Sequence, residues 1–204
     1  MVEKGVNKQV KRKIVSNEEC LTDLKNELPI LFQSFEKAVS LYEQQIVFTP
    51  VQARARGFEA STLNSKMIES VQQCFPENWK FGKYKRFILR INGYNIFFKK
   101  LTSKDMPMNV KTSFSQAIQN QQQLKLFNEA NDAIEPIVFF GYKKDKFGNI
   151  IDPKLVYIDE SQVKWTLVWD DISANKEILI TRQNTNTKEK LVSIRKQVKQ
   201  KKAE

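Results

Sequence analysis

The first half of the chain carries apolar residues at the spacing of amphipathic helices. Between positions 16 and 42 they recur three or four residues apart, on one helical face: Leu21, Leu24, Leu28, Leu31, Phe35, Ala38 and Tyr42. Ser16 and Glu19 have the spacing of a capping box, so we expect a helix to begin there. Pro29 interrupts the pattern, which predicts a kink or a second helix starting near this proline.

A further helix is predicted between Ser61 and Pro76, with Ser61 as its cap. Its apolar positions share one face: Leu63, Met67, Val71, Cys74 and Phe75. The connection before this helix contains Arg54 and Arg56, two positions apart. Guanidinium groups beside a helix start can present donors to a phosphate.

The clearest local signal is a hairpin around Asn92 and Gly93. This pair accepts positive φ at both central positions of a type I′ turn, which joins strands over 85–91 and 94–100. The turn sets Ile91 opposite Tyr94. At the other end of the hairpin it sets Arg86 opposite Lys99. One face of the hairpin is apolar, and the other mixes cations with apolar groups: Arg86, Ile88, Arg90, Asn95, Phe97 and Lys99.

The second half of the chain predicts one helix and three strands. The helix is expected over 111–127. The segment 137–140 is apolar throughout, and 155–158 and 163–169 follow it as strands after a turn at 143–149. We expect these three strands to form an antiparallel meander, with parallel pairing left open. The predicted class is α+β: N-terminal helices packed on a mainly antiparallel sheet of about five strands, with one inserted helix.

These elements predict one domain between two basic tails. The tails are residues 1–15 and 184–204, and the α+β domain covers 16–183. Within it, 16–76 is the helical part and 84–169 the sheet part. A length of 204 residues suits a single domain of this kind.

Charge points to an anionic partner. The chain has 34 basic and 23 acidic residues, a net charge of +11, and the excess lies in the two tails and in residues 50–111. Eight residues are candidates for nucleic-acid binding: Arg54, Arg56, Arg86, Arg90, Phe97, Lys99, Lys100 and Lys111. Phosphates would meet the cations while a base stacks on Phe97. The competing interpretation is that Phe97 and Ile88 pack under a helix.

Composition excludes several kinds of site. The chain has no histidine, no CxxC motif and no glycine-rich phosphate loop, which argues against the usual zinc sites, Ser-His-Asp triads and common nucleotide loops. No cofactor is therefore expected, and no metal. Neither a signal peptide nor a long apolar run is present, which predicts a cytoplasmic protein. Only weak membrane contact is expected from the C-terminal tail.

Two other functions stay open. Asp152 and Lys154 have the D-x-K spacing of some nucleases, and Asp159 and Glu160 lie nearby in sequence. Pro153 and Asn149 favour a turn around Asp152, so no catalytic residue is assigned. A toxin-like nuclease or nucleotide-modifying enzyme is the enzyme alternative. The other is a protein–protein adaptor whose basic surface meets an acidic partner.

Three stretches together resemble an uncharacterised bacterial protein family: residues 53–64, 82–100 and 135–165. Members occur in prophages and other mobile elements, sometimes near genes for helix-turn-helix repressors paired with metallopeptidases. The resemblance covers roughly residues 50–169 and contains no catalytic motif. It implies a cytoplasmic protein in a phage-defence or toxin–antitoxin setting, with an antitoxin as a possible partner.

Overall fold

A computed structural model of the chain describes residues 13–108, 112–121 and 135–174. The chain divides into two units, Met1–Val168 and Trp169–Glu204, and each is described by itself. In the second unit, residues 169–174 are helical. The predicted C-terminal tail lies outside the described residues, as does the N-terminal tail up to residue 12. The boundary at residue 183 therefore stays a prediction.

Two helices open the described part of the chain. α1 covers Asn17–Asp23 and α2 covers Glu27–Ile46. The predicted capping box is confirmed: the Glu19 amide donates to the Ser16 hydroxyl, and the Ser16 amide donates to the Glu19 carboxylate. Pro29 lies in the first turn of α2, where its missing N–H breaks no helical bond. The chain therefore forms two helices here.

α3 spans Phe58–Cys74 and begins before the predicted start. Its N-cap is Gly57, whose φ of +84° is a left-handed conformation that glycine adopts readily. Ser61 therefore lies inside the helix, and its prediction as the cap is wrong. The predicted apolar face is otherwise buried, except for Cys74, which is exposed.

Six strands form one sheet in chain order. They are β1 (Trp79–Gly82), β2 (Arg86–Ile91), β3 (Tyr94–Lys100), β4 (Ile137–Lys144), β5 (Ile150–Asp159) and β6 (Gln162–Val168). All neighbours pair antiparallel except β3 and β4, which run parallel. The predicted α+β class is confirmed, with six strands in place of about five. The additional strand is β1, a four-residue edge strand.

Near the turn, the hairpin register follows the prediction. Ile91 pairs with Tyr94, and Leu89 pairs with Ile96. Asn92 and Gly93 both have positive φ, +47° and +79°, as a type I′ turn requires. The turn is also tied to α1, because the Asn92 side chain donates to the Asp23 carbonyl at 2.8 Å.

A parallel pair needs a crossover connection between its strands. Here residues 101–136 connect β3 to β4 and include α4, Ser113–Gln119. α4 is the predicted inserted helix. It ends earlier than expected, and residues 122–127 of the prediction lie outside the described ones. The meander of β4, β5 and β6 is antiparallel as predicted.

Helices cover both faces of the sheet. On one face, the rings of Phe32 and Phe35 in α2 lie 4.9 and 5.2 Å from the ring of Phe140 in β4. On the other, Ile118 of α4 packs in a cluster with Phe97. None of the described helices is long and apolar enough to cross a bilayer.

We expect Gly141→Ala to lower the free energy of unfolding by about 1–3 kcal/mol, because the core is already filled at this position. Leu101 packs directly against Gly141 and is 2% exposed, and an added Cβ would overlap its side chain. Leu101→Ala opens that space, although it has its own cost of about 2–5 kcal/mol. Urea denaturation of both single variants and the double variant measures the coupling. If the free-energy costs of the two single variants simply add up in the double variant, the close packing of Leu101 against Gly141 is contradicted.

Candidate functional site

The cations predicted on the second hairpin face lie in different environments. Arg90 is held by Glu135 at both carboxylate oxygens, with Nη2 at 3.1 Å from Oε1 and Nε at 3.2 Å from Oε2. Such a bidentate pair occupies the guanidinium and neutralises its charge. Arg90 therefore links β2 to the residues just before β4, and its role in nucleic-acid binding stays a prediction.

Phe97 lies inside the core. Its side chain is 1% exposed, and that of Ile88 is fully buried. The Phe97 ring lies 5.9 Å from the ring of Phe139, and both belong to the cluster that includes Ile118 of α4. A base cannot stack on a ring that solvent does not reach. The stacking role is wrong, and the competing interpretation, packing under a helix, is confirmed.

Arg54 also has a structural role. Its guanidinium donates to the carbonyls of Ile46 and Thr49, each at 3.0 Å, and to the Glu59 carboxylate at 3.1 Å. These bonds fasten the end of α2 to the start of α3. Glu59 also pairs with Lys144 at 3.1 Å, and the two cations lower the pKa of the Glu59 carboxyl, with the Lys144 hydrogen bond as the largest cause. Phosphate binding by Arg54 stays a prediction, and the observed role of its guanidinium is structural.

For three further predicted residues, the structure shows no arrangement that would form a binding site. Arg56 is exposed and forms no ion pair within the described ranges. Lys100 is half-buried at the end of β3, and it too has no ion pair there. Lys111 lies outside the described residues. Binding by these three stays a prediction.

Arg86 and Lys99 line a cleft at the open end of the hairpin, opposite the Asn92–Gly93 turn. The cleft has a volume of about 220 Å³. Its walls come from α3, β2, β3 and the 3-10 turn that precedes β2: Asn64, Ile68, Tyr84, Lys85, Arg86, Phe87, Phe97, Phe98 and Lys99. No acidic residue of the described ranges is among them. The cleft is therefore a positively charged recess.

Arg86 is held in place by an aromatic ring. Its guanidinium carbon lies 4.6 Å from the centre of the Phe114 ring of α4, a cation–π contact. Its Nη1 is buried and has no hydrogen-bond acceptor among the described residues. Burial lowers the pKa of Arg86, although a guanidinium stays charged in proteins. A buried charged donor without an acceptor costs free energy, so the positive charge of Arg86 is not balanced by a described hydrogen-bond partner of Nη1.

Lys99 adds a second positive charge to the same recess. Desolvation lowers the pKa of Lys99, and repulsion by Arg86 lowers it further. No described carboxylate pairs with either side chain. Because each cation raises the free energy of the other, the pair favours any ligand that brings negative charge.

The rim of the cleft has strained backbone. Tyr84 and Lys85 have φ of +60° and +54°, left-handed values that cost a non-glycine residue on the order of 1 kcal/mol each. Both side chains are exposed, and the Tyr84 ring meets Phe114 edge-on at 6.0 Å. Sequence reasoning missed both residues, since neither is a glycine. Strain of this kind concentrates at functional sites.

The carboxylates considered for nuclease chemistry do not meet. Asp152 lies within β5, not in the expected turn, at roughly seven strand residues or about 23 Å from Asp159. Glu160 follows Asp159 in the turn after β5. Among the described residues, no group of three or more Asp, Glu, His or Cys side chains could hold a metal ion.

Asp152 instead joins a closed network of ion pairs with Asp105. The Nζ of Lys143 lies 2.7 Å from Asp105 and 2.9 Å from Asp152, and the Nζ of Lys154 lies 3.3 and 2.9 Å from the same two oxygens. Two acids and two bases balance in charge. The network fastens the loop after β3 to the start of β5.

Comparisons of the chain with protein-family models, curated proteins and solved structures found no match. The resemblance to a prophage family therefore stays a prediction. No residue role is transferred from another protein, so function has to be argued from the cleft.

Replacing Arg54 tests its structural role. We expect Arg54→Gln to lower the free energy of unfolding by about 1.5–3 kcal/mol, since it loses hydrogen bonds made by a charged donor. Urea denaturation measures the change. The matched control, Arg56→Gln, removes an exposed charge nearby and should have little effect. Unchanged stability for Arg54→Gln would contradict the assignment.

The ion-pair network should give stability a specific pH dependence. Desolvation alone would raise the pKa of Asp152, but hydrogen bonds from Lys154 and Lys143 outweigh it, so the pKa falls below its ordinary 3.8. A carboxyl with a lowered folded-state pKa stabilises the fold above its unfolded value and loses this contribution on acidification. Asp152→Asn should therefore cost about 1 kcal/mol at pH 7, where the pair is partly screened.

That cost should shrink as the pH falls below 3.8, the ordinary pKa of Asp152. Thermal or urea denaturation between pH 7 and pH 3 follows it. Glu77→Gln is the control, because Glu77 is exposed and has no ion pair among the described residues. A cost that does not change with pH would mean that Asp152 acts through packing alone.

Proposed function

We propose that the protein binds nucleic acid through its phosphate groups, with Arg86 and Lys99 holding a phosphate in the cleft. The observation that carries the proposal is the pairing of these two cations in one recess without an acidic partner among the described residues. Phosphate is the anion that nucleic acids present at every nucleotide.

The chemistry of both side chains suits a phosphate. A guanidinium presents several N–H donors in a planar fork that matches phosphate oxygens. Arg86 carries such a fork and lines the cleft. Lys99 supplies a point charge from β3, the neighbouring strand. The ring of Phe114 fixes the direction of the fork before any ligand arrives.

The environment of other cations in the same fold supports this proposal. Arg54, Arg90 and Lys154 are all partly or fully buried, and each is paired with a carboxylate. Arg86 and Lys99 are partly buried as well. Lys100 is half-buried without a described ion pair as well, but it does not line the cleft. The grouping of Arg86 and Lys99 in one recess without a described carboxylate supports a site for an anion from outside.

The expected binding mode has little sequence preference. Bonds to phosphate fix the position of a ligand but carry no base information. With Phe97 in the core, no stacking platform of the predicted kind is available to read bases. The net charge of +11 adds long-range attraction. We place the protein in the cytoplasm, where DNA and RNA are both available.

Binding of single-stranded and duplex oligonucleotides across a salt series tests the proposal. We expect Arg86→Gln/Lys99→Gln to reduce the slope of log affinity against log salt by about 1 for each phosphate that no longer meets a cation. Stability should change little, because the substitution also removes the repulsion between the two cations. Fluorescence anisotropy gives the affinities, and urea denaturation gives the stability.

The charge-matched control is Lys25→Ala/Lys104→Ala, which removes two exposed positive charges outside the cleft. It should lower affinity only slightly. Equal decreases in affinity for the two double variants would show attraction by net charge alone and would contradict a phosphate site. Polyglutamate is a second probe: binding of this polymer as tight as that of oligonucleotides would favour the adaptor alternative.

A further inference from the structure

The size of the cleft limits what it can hold. At about 220 Å³ it falls below the roughly 300–1,000 Å³ of typical ligand pockets. Asn64 and Ile68 of α3 bound it on one side, and the strained rim of Tyr84 and Lys85 bounds it on another. Since a cavity of about 150 Å³ can hold a benzene ring, this recess has room for a phosphoryl group and part of the sugar attached to it.

The charge of the cleft sets a second condition. Arg86 and Lys99 contribute two positive charges, Lys85 stands at the rim with a third, and no described carboxylate lines the recess. An internal phosphodiester carries one negative charge and continues as chain on both sides. A phosphomonoester carries about 1.5 to 2 negative charges at pH 7 and continues on one side only.

We propose that the cleft binds a phosphomonoester at the end of a nucleic-acid strand in preference to an internal phosphodiester. This inference rests on the proposed function and names the part of the nucleic acid that enters the site. The dianion matches the two inner cations, and the terminal sugar leaves the recess past Tyr84. The Tyr84 side chain is 77% exposed at this rim, with Lys83 Nζ 5.5 Å from its ring centre.

The pH dependence of binding follows from the ligand. A phosphomonoester has a second pKa of about 6, so its charge falls towards one below that pH, whereas a phosphodiester does not change. The titratable groups facing the site are Arg86, Lys99, Lys85 and Tyr84, with Lys83 beside the rim. Asn64, Ile68 and Phe114, from the two helices packed there, are uncharged.

None of these protein groups can mimic the ligand's response. The chain contains no histidine, the side chain that ordinarily titrates near pH 6. Lys99 has a lowered pKa, but protonation of a lysine adds positive charge and can only strengthen the attraction of an anion on acidification. Weaker binding at low pH would therefore come from protonation of the phosphate.

Oligonucleotides of one sequence, differing only at their ends, test the inference. One carries a 5′-phosphate, one a 3′-phosphate, and one has hydroxyls at both ends. A nucleoside monophosphate serves as a competitor and identifies the contribution of the phosphomonoester without a strand. We expect one phosphorylated end to bind at least about tenfold tighter than the hydroxyl ends at pH 7.5, since a second charge-assisted hydrogen bond supports it.

The preference for a phosphorylated end should disappear in Arg86→Gln/Lys99→Gln and persist in Lys25→Ala/Lys104→Ala. In the unmodified protein it should become smaller at pH 5. Equal binding of all three oligonucleotides, still weakened by Arg86→Gln/Lys99→Gln, would overturn this inference and leave the proposed function standing. No salt-dependent binding of any oligonucleotide would overturn both. If only the nucleoside monophosphate then bound, the site would accept a phosphomonoester without a strand, and the nucleic-acid part would be wrong.

Discussion

The register of the β2–β3 hairpin is the constraint on which the cleft depends. A two-residue turn at Asn92 and Gly93 leaves the two strands one way to align, so every side chain has a fixed face. The same alignment that sends Phe97 into the core brings Arg86 and Lys99 into one recess. A shift by one residue would exchange the two faces of a strand and break up both arrangements.

Buried cations lie in two different kinds of environment in this fold. Around Arg54, Arg90 and the pair Lys143 and Lys154, carboxylates bind the cations and the charges contribute to the fold. Around the cleft, aromatic residues form part of the lining, the Phe114 ring contacts Arg86, and no described carboxylate lines the recess. A ring stabilises a guanidinium without neutralising it, so the site keeps its attraction for anions.

Local sequence signals predicted much of the fold because their causes lie within a few residues. The capping box at Ser16 and the turn at Asn92 are of this kind. The partner of Arg90 was not predictable, since Glu135 is far along the chain and only the parallel pairing of β3 and β4 brings it close. The alternation of side chains along the strand predicted which face of the hairpin holds Phe97, but it could not predict what covers that face. The residue types around Tyr84 give no sign of its positive φ.

The parallel pairing of β3 and β4 also has a consequence for the order of folding. β2 meets β3 across two residues, whereas β3 meets β4 only after the segment 101–136 has closed into a loop. A short loop closes faster than a long one, so the β2–β3 pair should form before the β3–β4 pair. We expect Arg86 and Lys99 to come together early, while water still screens them, and to lose that screening only when Phe114 docks. Multivalent anions in the medium would then speed the last stage of folding.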